Sequence, residues 1–289
     1  MKFLRLHALM EEVAEAFQGD LLLNYMNPLS PVTAYFLRRG LPALGLCHSV
    51  PETAKTLAAY LQVPAEELAY RALGVNHLSF FVQLAHKGQD LYPRLRALAE
   101  DPLYWERDPV RFEILRVFGL FPSESSGHVS EYVPYFRKAP SVLARYARPG
   151  YGGESGFYAK HHSRWVREAK EQVEAWLEGQ GGLERSQEYA SRILEAYYLG
   201  LEGEAYATLD NQGTVPQLLP FAVEVPVRVK LGRVLPQGGS LPPGPQPWPG
   251  GSRRFRPSGW KGLCGKTGTS SSRGLPWTPS RGRCWTLGA

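Results

Sequence analysis

The chain has 289 residues, of which 43% are hydrophobic, so it can bury one or two cores of ordinary size and is predicted to be globular. No apolar run reaches the roughly 18 residues that cross a bilayer. The first residues, MKFLRLHALMEEVAEAF, mix Glu with Leu at helical spacing, unlike a signal peptide. We therefore expect a cytoplasmic protein with no membrane partner.

The net charge of +6 comes from the C-terminal part of the chain. Residues 229–289 hold ten Lys and Arg and no Asp or Glu, which leaves 23 basic against 27 acidic residues in 1–228. A basic surface is the electrostatic signature of nucleic-acid binding, and the body of this chain is mildly acidic instead. No nucleic-acid partner is predicted.

The composition of the C-terminal segment is also unusual. Residues 230–289 contain 13 Gly and 9 Pro, together with four of the seven Trp. Proline removes hydrogen-bond donors and glycine adds chain entropy, so we predict that 229–289 is disordered. Two origins remain open, a basic tail that binds anions or translation of a GC-rich gene in the wrong frame, and the second is favoured.

Apolar periodicity predicts that the chain begins with helix, strand, helix and strand. The predicted elements are a helix at 6–18, a strand at 21–25, a helix that ends at Gly40 and a strand at 43–47. This order is typical of the last part of a parallel α/β sheet.

The remainder of the body mixes helices with a few strands. The pattern predicts a helical stretch from Pro51 to Leu73 broken at Pro64, an alternating strand at 78–86, helices within 90–120, a polar segment at 123–138, helices near 155–178 and 185–200, and strands near 204–229. The predicted fold class is α/β leading into α+β.

Polar residues follow the first two predicted strands, where ligands bind in open α/β sheets. Asn27 follows the first strand, and Cys47 and His48 follow the second. Cys47 has three available interpretations: a small buried hydrophobe, a metal ligand with His77, or a thiol-protease nucleophile with a histidine. The residues alone predict a polar site built from Asn27, Cys47, His48, His77 and the segment 123–138.

Six ordered strings resemble the α-galactosidase branch of glycoside hydrolase family 4. They are LLLNYMNPLSP, LGLCHSV, YRALGVNHLSFF, ESSGHVSEYVPYFRK, SQEYASRILEA and LPFAVEVPV, and the resemblance covers residues 3–227. It implies three parts: 1–46 as the last part of a Rossmann-like NAD-binding domain, 47–228 as an α+β catalytic and metal-binding domain of the lactate/malate dehydrogenase C-terminal type, and the tail 229–289. No G-x-G-x-x-G turn occurs on the first strands, so a missing N-terminal front end is expected.

The resemblance implies hydrolysis of α-galactosides by redox-assisted elimination. NAD takes hydride from carbon 3 of the sugar, a base removes the proton on carbon 2, and the glycosidic oxygen leaves. Water then adds and the hydride returns. A divalent metal, usually manganese, polarises the carbon 3 ketone. Such NAD-dependent enzymes are an exception to the two-carboxylate rule of glycosidases.

The resemblance also implies roles for individual residues. Cys47 and His77 match the metal ligands, and Tyr132 matches the carbon 2 base. His48 matches the position of the acid on the leaving oxygen. Asn27 is expected to bind both the sugar and the nicotinamide of NAD, and His128 is expected to bind the sugar from the segment that closes over it. A small α-glycoside substrate and a homo-oligomer are the expected partners.

Other functions stay open at this point. An α-glucosidase or α-glucuronidase of the same family would share the mechanism. A dehydrogenase of the lactate or malate type would share the fold, although its Arg and His-Asp constellation is not found. An inactive fragment is the third alternative.

Overall fold

The computed structural model describes residues 2–180 and 188–242, and no helix in these ranges is long and apolar enough to cross a membrane. The helices are α1 (Lys2–Ala16), α2 (Leu29–Arg38), α3 (Ser49–Leu61), α4 (Tyr92–Leu98), α5 (Pro102–Arg107), α6 (Pro109–Phe118), α7 (Ser126–Tyr132), α8 (Pro140–Tyr146), α9 (Phe157–Leu177) and α10 (Ala190–Leu199). The strands are β1 (Leu22–Asn24), β2 (Ala43–Gly45), β3 (Leu68–Val75), β4 (Leu78–His86), β5 (Gln89–Asp90), β6 (Phe121–Pro122), β7 (Gly203–Asp210), β8 (Ala222–Lys230) and β9 (Arg233–Pro236).

The described strands form one mixed sheet in the order β1-β2-β7-β8-β3-β4-β5, with β6 beside β4 and β9 beside β8. Among the described strands, only β1 and β2 pair in parallel, with Leu23 opposite Leu44. The predicted parallel arrangement of the first two strands is therefore confirmed. The single pair Gly45–Thr208 joins β2 to the antiparallel strand β7, so residues on both sides of the predicted boundary at 46 share this sheet.

The first helices cover the parallel edge of the sheet. The predicted apolar stripe of α1, including Met10 and Val13, packs against a cluster that contains Leu22 and Phe36. Farther along, α10 buries Ile193 against the β7–β8 ladder. Burial of these side chains contributes about 1.5–3 kcal/mol for each large aliphatic or aromatic residue.

The structure corrects the helix predicted through Leu73. Helix α3 ends at Leu61, since Gln62 adopts a left-handed conformation with φ 49°. Residues 68–75 instead form β3, which pairs with β4 along its whole length from Leu68–His86 to Val75–Leu78. Cross-strand pairing thus outweighs the helical preference of the Leu and Ala residues in LAYRALGV.

The structure also contradicts the disorder predicted for the first residues of the C-terminal segment 229–289. Strand β8 continues to Lys230, and Leu231 (φ 43°) with Gly232 (φ 70°) makes a two-residue turn into β9. Two consecutive positive φ values fit the right-handed twist of a hairpin. The prediction of disorder from residue 229 is therefore wrong for 229–236, whereas its part from 243 to 289 lies outside the described residues.

Candidate active site

Cys47 lies just beyond the end of β2, and its backbone is fixed from two sides. The Leu46 amide donates to the Asn24 carbonyl at 2.9 Å. The Tyr189 hydroxyl lies 2.8 Å from two carbonyl oxygens, those of Cys47 and Tyr206. The Cys47 thiol donates to Ser49 Oγ at 3.4 Å. The thiol is thus held at the sheet edge where the polar residues were predicted.

His77 lies in the two-residue turn between β3 and β4. Its φ is 67°, a left-handed conformation that glycine and asparagine favour at this position of a turn. For a residue with a Cβ, this conformation costs about 1–2 kcal/mol. Backbone strain of this kind is found where a side chain is needed at a functional site. The turn directs the imidazole of His77 towards Cys47.

Three potential metal ligands meet here. Cys47 Sγ lies 3.8 Å from His77 Nε2, and His77 Nε2 lies 3.4 Å from Glu124 Oε2. One ligand atom from each residue lies within 4.8 Å of both others. The His77 and Glu124 side chains are only 14% and 13% exposed. We call these three residues the Cys-His-Glu cluster.

Glu124 had no role in the sequence analysis, although it stands in the polar segment 123–138. It follows the short strand β6 and precedes α7. The Ser125 amide donates to Glu124 Oε1 at 2.8 Å, which leaves Oε2 facing His77. A carboxylate directly after a strand end was the available signal.

Burial changes the protonation of both predicted ligands. It raises the pKa of the Cys47 thiol, and the nearby Glu224 carboxyl raises it further. Burial also lowers the pKa of His77, against the opposing effect of Glu124, and so favours the neutral imidazole. A neutral imidazole is the form that binds a metal, whereas the thiol must first lose its proton.

Tyr132 and His128 complete this group. The Tyr132 hydroxyl lies 2.9 Å from His77 Nδ1, and the His128 ring centroid is 5.7 Å from that of His77. His128 Nε2 lies 3.1 Å from the Tyr158 hydroxyl. Burial, followed by Glu124, raises the pKa of the Tyr132 phenol. The structure therefore brings together four of the six predicted site residues, Cys47, His77, His128 and Tyr132.

The other two predicted residues, His48 and Asn27, are exposed. His48 is exposed, and its Nδ1 lies 3.1 Å from Glu188 Oε1. Asn27 is exposed and lies between β1 and α2. Because β1 and β2 run in parallel, Asn27 and Cys47 follow strand ends at the same edge of the sheet.

A buried carboxylate, Glu224, holds the backbone around His77 through two hydrogen bonds. Glu224 on β8 is 1% exposed. It accepts hydrogen bonds from Asn76 Nδ2 at 3.0 Å and from Ser79 Oγ at 2.5 Å, and these residues flank the His77 turn. Burial raises the pKa of Glu224 despite both hydrogen bonds. The sequence string AVEVPV did not distinguish this glutamate from a surface residue of an alternating strand.

The donor set of the Cys-His-Glu cluster fits a divalent transition metal. Thiolate and imidazole are soft and borderline ligands, and a carboxylate oxygen suits Mn²⁺ among the first-row ions. A metal-bound histidine ordinarily engages its other ring nitrogen in a hydrogen bond, and His77 Nδ1 meets the Tyr132 hydroxyl. Both the ligands and their support are therefore present.

Comparison with known proteins agrees with these observations. Residues 72–244 match the family 4 glycosyl hydrolase C-terminal domain. An α-galactosidase of Rhizobium meliloti (strain 1021) is 31% identical over 221 residues, which are 73% of this chain and 45% of that protein. An α-galactosidase of Bacillus subtilis (strain 168) is 32% identical over 186 residues, 60% of this chain and 40% of that protein. The chain thus spans less than half the length of these relatives.

Solved structures share the fold. The crystal structure of the putative glucosidase lplD of Bacillus subtilis superposes with a TM-score of 0.68 at 24% identity, covering 81% of this chain and 60% of that one. A 6-phospho-α-glucosidase from gut microorganisms gives 0.56 at 18% identity, covering 76% and 53%. The domain match extends over more than half of the chain and includes His77, Glu124 and Tyr132. This chain belongs to family 4 of the glycosyl hydrolases.

Proposed function

We propose that this chain forms the metal-binding and sugar-binding side of an α-galactosidase that works with NAD and a divalent metal. The observation that carries the proposal is the Cys-His-Glu cluster beside the Tyr132 hydroxyl. Two curated relatives are named α-galactosidase, and the structure of the 6-phospho-α-glucosidase relative contains NAD and Mn²⁺. Both observations support this assignment of substrate and cofactors.

The metal would be held by Cys47 Sγ, His77 Nε2 and Glu124 Oε2. When bound, a divalent ion supplies a Lewis acid that polarises oxygen atoms of the sugar. A histidine that offers the lone pair of Nε2 carries its hydrogen on Nδ1. In this site His77 Nδ1–H then donates to Tyr132 Oη, 2.9 Å away, and leaves that oxygen as the acceptor.

Tyr132 would take the proton from carbon 2 of the sugar. An acceptor hydrogen bond on Oη favours the phenolate, which is the basic form. Burial and the Glu124 carboxylate act in the opposite direction and raise the pKa of the phenol. A cation beside Glu124 neutralises the second of these effects, so the base role depends on the metal.

The other residues would act on the sugar and its leaving group. His48, whose Nδ1 lies 3.1 Å from Glu188 Oε1, would protonate the glycosidic oxygen. His128, oriented by Tyr158, would contact the sugar hydroxyls together with Asn27. These roles rest on the resemblance of the strings around Asn27, His48 and His128 to those of the family.

The described residues do not fit the phosphates of NAD. Pyrophosphate binding in dinucleotide folds uses a glycine-rich turn at a helix N-terminus. Strands β1 and β2 are followed by YMNP and LCHSV, which contain no glycine. The described residues therefore supply no anchor for the phosphates of the dinucleotide.

A cytoplasmic location and a homo-oligomeric state are part of the proposal. A thiolate ligand oxidises readily and is maintained in a reducing compartment. Helix α9 (Phe157–Leu177), in which no residue is buried, supports a homo-oligomer.

The proposal is tested by hydrolysis of nitrophenyl glycosides. The chain is joined to a dinucleotide-binding segment and supplied with NAD, Mn²⁺ and thiol. We expect hydrolysis of the α-galactoside in preference to the α-glucoside, α-galacturonide and α-glucuronide, and loss of activity with a chelator. Preference for another sugar would correct the substrate, whereas turnover that persists without metal and in Cys47→Ser would refute the mechanism.

A further inference from the structure

A network of buried polar side chains joins three helices beside the Cys-His-Glu cluster. It links Thr53 on α3 with Asp108 just before α6, Arg111 on α6 and Ser126 on α7. These four residues are only 3–7% exposed. The sequence analysis gave none of them a role, and none of them belongs to the cluster itself.

The centre of this network is the ion pair between Asp108 and Arg111. Asp108 Oδ2 accepts from Arg111 Nε at 2.6 Å and also from Nη2 of the same guanidinium. The guanidinium lies over the Phe121 ring, 5.0 Å from its centroid. A buried ion pair stabilises a fold little in comparison with apolar side chains of the same volume, because both ions lose their hydration. The pair is better explained by the groups that it orients.

One of these groups is the hydroxyl of Thr53. Thr53 Oγ1 accepts from Arg111 Nη1 at 3.0 Å and donates to the Ser123 carbonyl at 2.6 Å. Because a hydroxyl has a single hydrogen, acceptance from Arg111 leaves that hydrogen for the Ser123 carbonyl. Ser123 directly precedes Glu124, so this bond fixes the backbone on the N-terminal side of the carboxylate.

The ion pair also holds the backbone on the other side of Glu124. The Ser126 hydroxyl donates to Asp108 Oδ1 and accepts from the Arg111 amide at 3.2 Å. This amide lies in the first turn of α6, where backbone N–H groups have no partner within the helix. Glu124 is therefore anchored through a residue on each side.

Helix α3 connects these anchors to Cys47. Its first residue, Ser49, accepts from the Cys47 thiol at 3.4 Å. Thr53 follows Ser49 by four residues, which places both on one face of the helix with about 5–6 Å between their Cβ atoms. One turn of α3 thus contacts the chain beside Cys47 and beside Glu124, whose ligand atoms lie within 4.8 Å of each other.

We propose that Thr53 is a positioning residue for the metal, which holds Glu124 at its distance from Cys47 through the Ser123 carbonyl. The inference rests on the proposed function, because it requires a metal at the Cys-His-Glu cluster. Arg111 contributes by orienting the Thr53 hydroxyl. Partners that orient metal ligands ordinarily change metal affinity about 10–100-fold.

The test is titration of the reduced 289-residue chain with Co²⁺, which binds the same types of ligand as Mn²⁺ more tightly. Thr53→Val keeps the size of the side chain and removes its hydroxyl, so Co²⁺ should bind at least about tenfold more weakly. Thr53→Ser retains the hydroxyl and should bind nearly as the wild type. Thr56→Val is the matched control on α3, because Thr56 Oγ1 donates only to the Glu52 carbonyl of the same helix, at 3.1 Å. It should keep wild-type affinity.

The same titration in a Glu124→Gln background separates positioning from a general effect on the fold. If Thr53 acts through Glu124, Thr53→Val should cause little further loss once Glu124 is replaced. Thr53→Ala, which removes the same hydroxyl, should give the same pattern, and circular dichroism shows that each chain is folded. An equal loss in both backgrounds would overturn the proposal.

Two other results distinguish this proposal from the proposed function. Wild-type Co²⁺ affinity in Thr53→Val, together with weakened binding in Glu124→Gln, would overturn the positioning role alone. A wild-type chain that binds no Co²⁺ would contradict the metal site itself, and the positioning role with it.

Discussion

Replacing the buried carboxylate Glu224 tests how the fold supports the His77 turn. Glu224 accepts hydrogen bonds from Asn76 and Ser79, which flank His77. Glu224→Gln preserves the shape of the side chain. Its carbonyl oxygen can still accept from Asn76, and its amide can donate to Ser79 Oγ, whose hydroxyl also reaches the Val75 carbonyl at 3.2 Å. Glu224→Ala removes both acceptors.

The structure gives an expected size for each effect. In Glu224→Ala the Asn76 amide loses its buried acceptor, at about 1–3 kcal/mol, and a cavity adds to the loss. We expect a fall in Tm of roughly 5–15 °C. Because burial raises the folded-state pKa of Glu224, its contribution is complete below the unfolded pKa of about 4.3 and is lost as the pH rises through the folded pKa. Glu224→Gln lacks this loss, so it should gain stability relative to the wild type as the pH rises above about 4.3.

The assay is thermal unfolding of the wild type, Glu224→Gln and Glu224→Ala at a series of pH values. We expect the Tm of Glu224→Gln to increase relative to that of the wild type as the pH rises. Glu224→Ala should have the lowest Tm at every pH. If Glu224→Gln loses as much stability as Glu224→Ala at neutral pH, the carboxylate is required in its charged form and the reasoning fails.

Three further changes probe the site. Tyr132→Phe should lower turnover at least about 100-fold with little change in Tm, measured by glycoside hydrolysis; unchanged turnover would return Tyr132 to a packing role. Glu124→Gln should weaken metal binding at least about tenfold in a competition titration, and equal affinity would remove Glu124 from the ligand set. His77→Gly and His77→Ala should both lose metal binding, but the glycine variant should be up to about 1 kcal/mol more stable in urea, because φ 67° strains alanine. A more stable alanine variant would contradict the strain at this turn.

The sequence predicted the parts of the fold that depend on local patterns. The amphipathic stripe of α1 and the parallel pair β1–β2 are confirmed, because their apolar spacing is set within a few residues. Strand β3 was missed because its sequence favours a helix, whereas hydrogen bonding to β4 stabilises a strand. Strand β9 was missed because the composition of the whole tail concealed the short alternating run at 226–235.

The candidate site shows the same division. Cys47 and His77 could be singled out from their residue types and strand-end positions, and the resemblance gave them roles. Their approach to 3.8 Å depends on pairings across the sheet that residue spacing does not reveal. Glu224 could not be assigned, because an exposed and a buried glutamate look alike until the strands around them are placed. Glu124 was passed over, although its place after a strand end in the polar segment 123–138 was a signal.

The ligand set of the metal is the central claim, and cobalt substitution tests it most directly. Co²⁺ binds the same types of ligand as Mn²⁺ and binds them more tightly, and it reports a thiolate ligand by a charge-transfer band in the near ultraviolet. Titration of the reduced 289-residue chain with Co²⁺ should produce this band with one ion bound per chain at the Cys-His-Glu cluster. The band should vanish in Cys47→Ser, and binding should weaken strongly in His77→Gly. Absence of the band in the wild type, or the same Co²⁺ affinity in all three chains, would contradict the assignment.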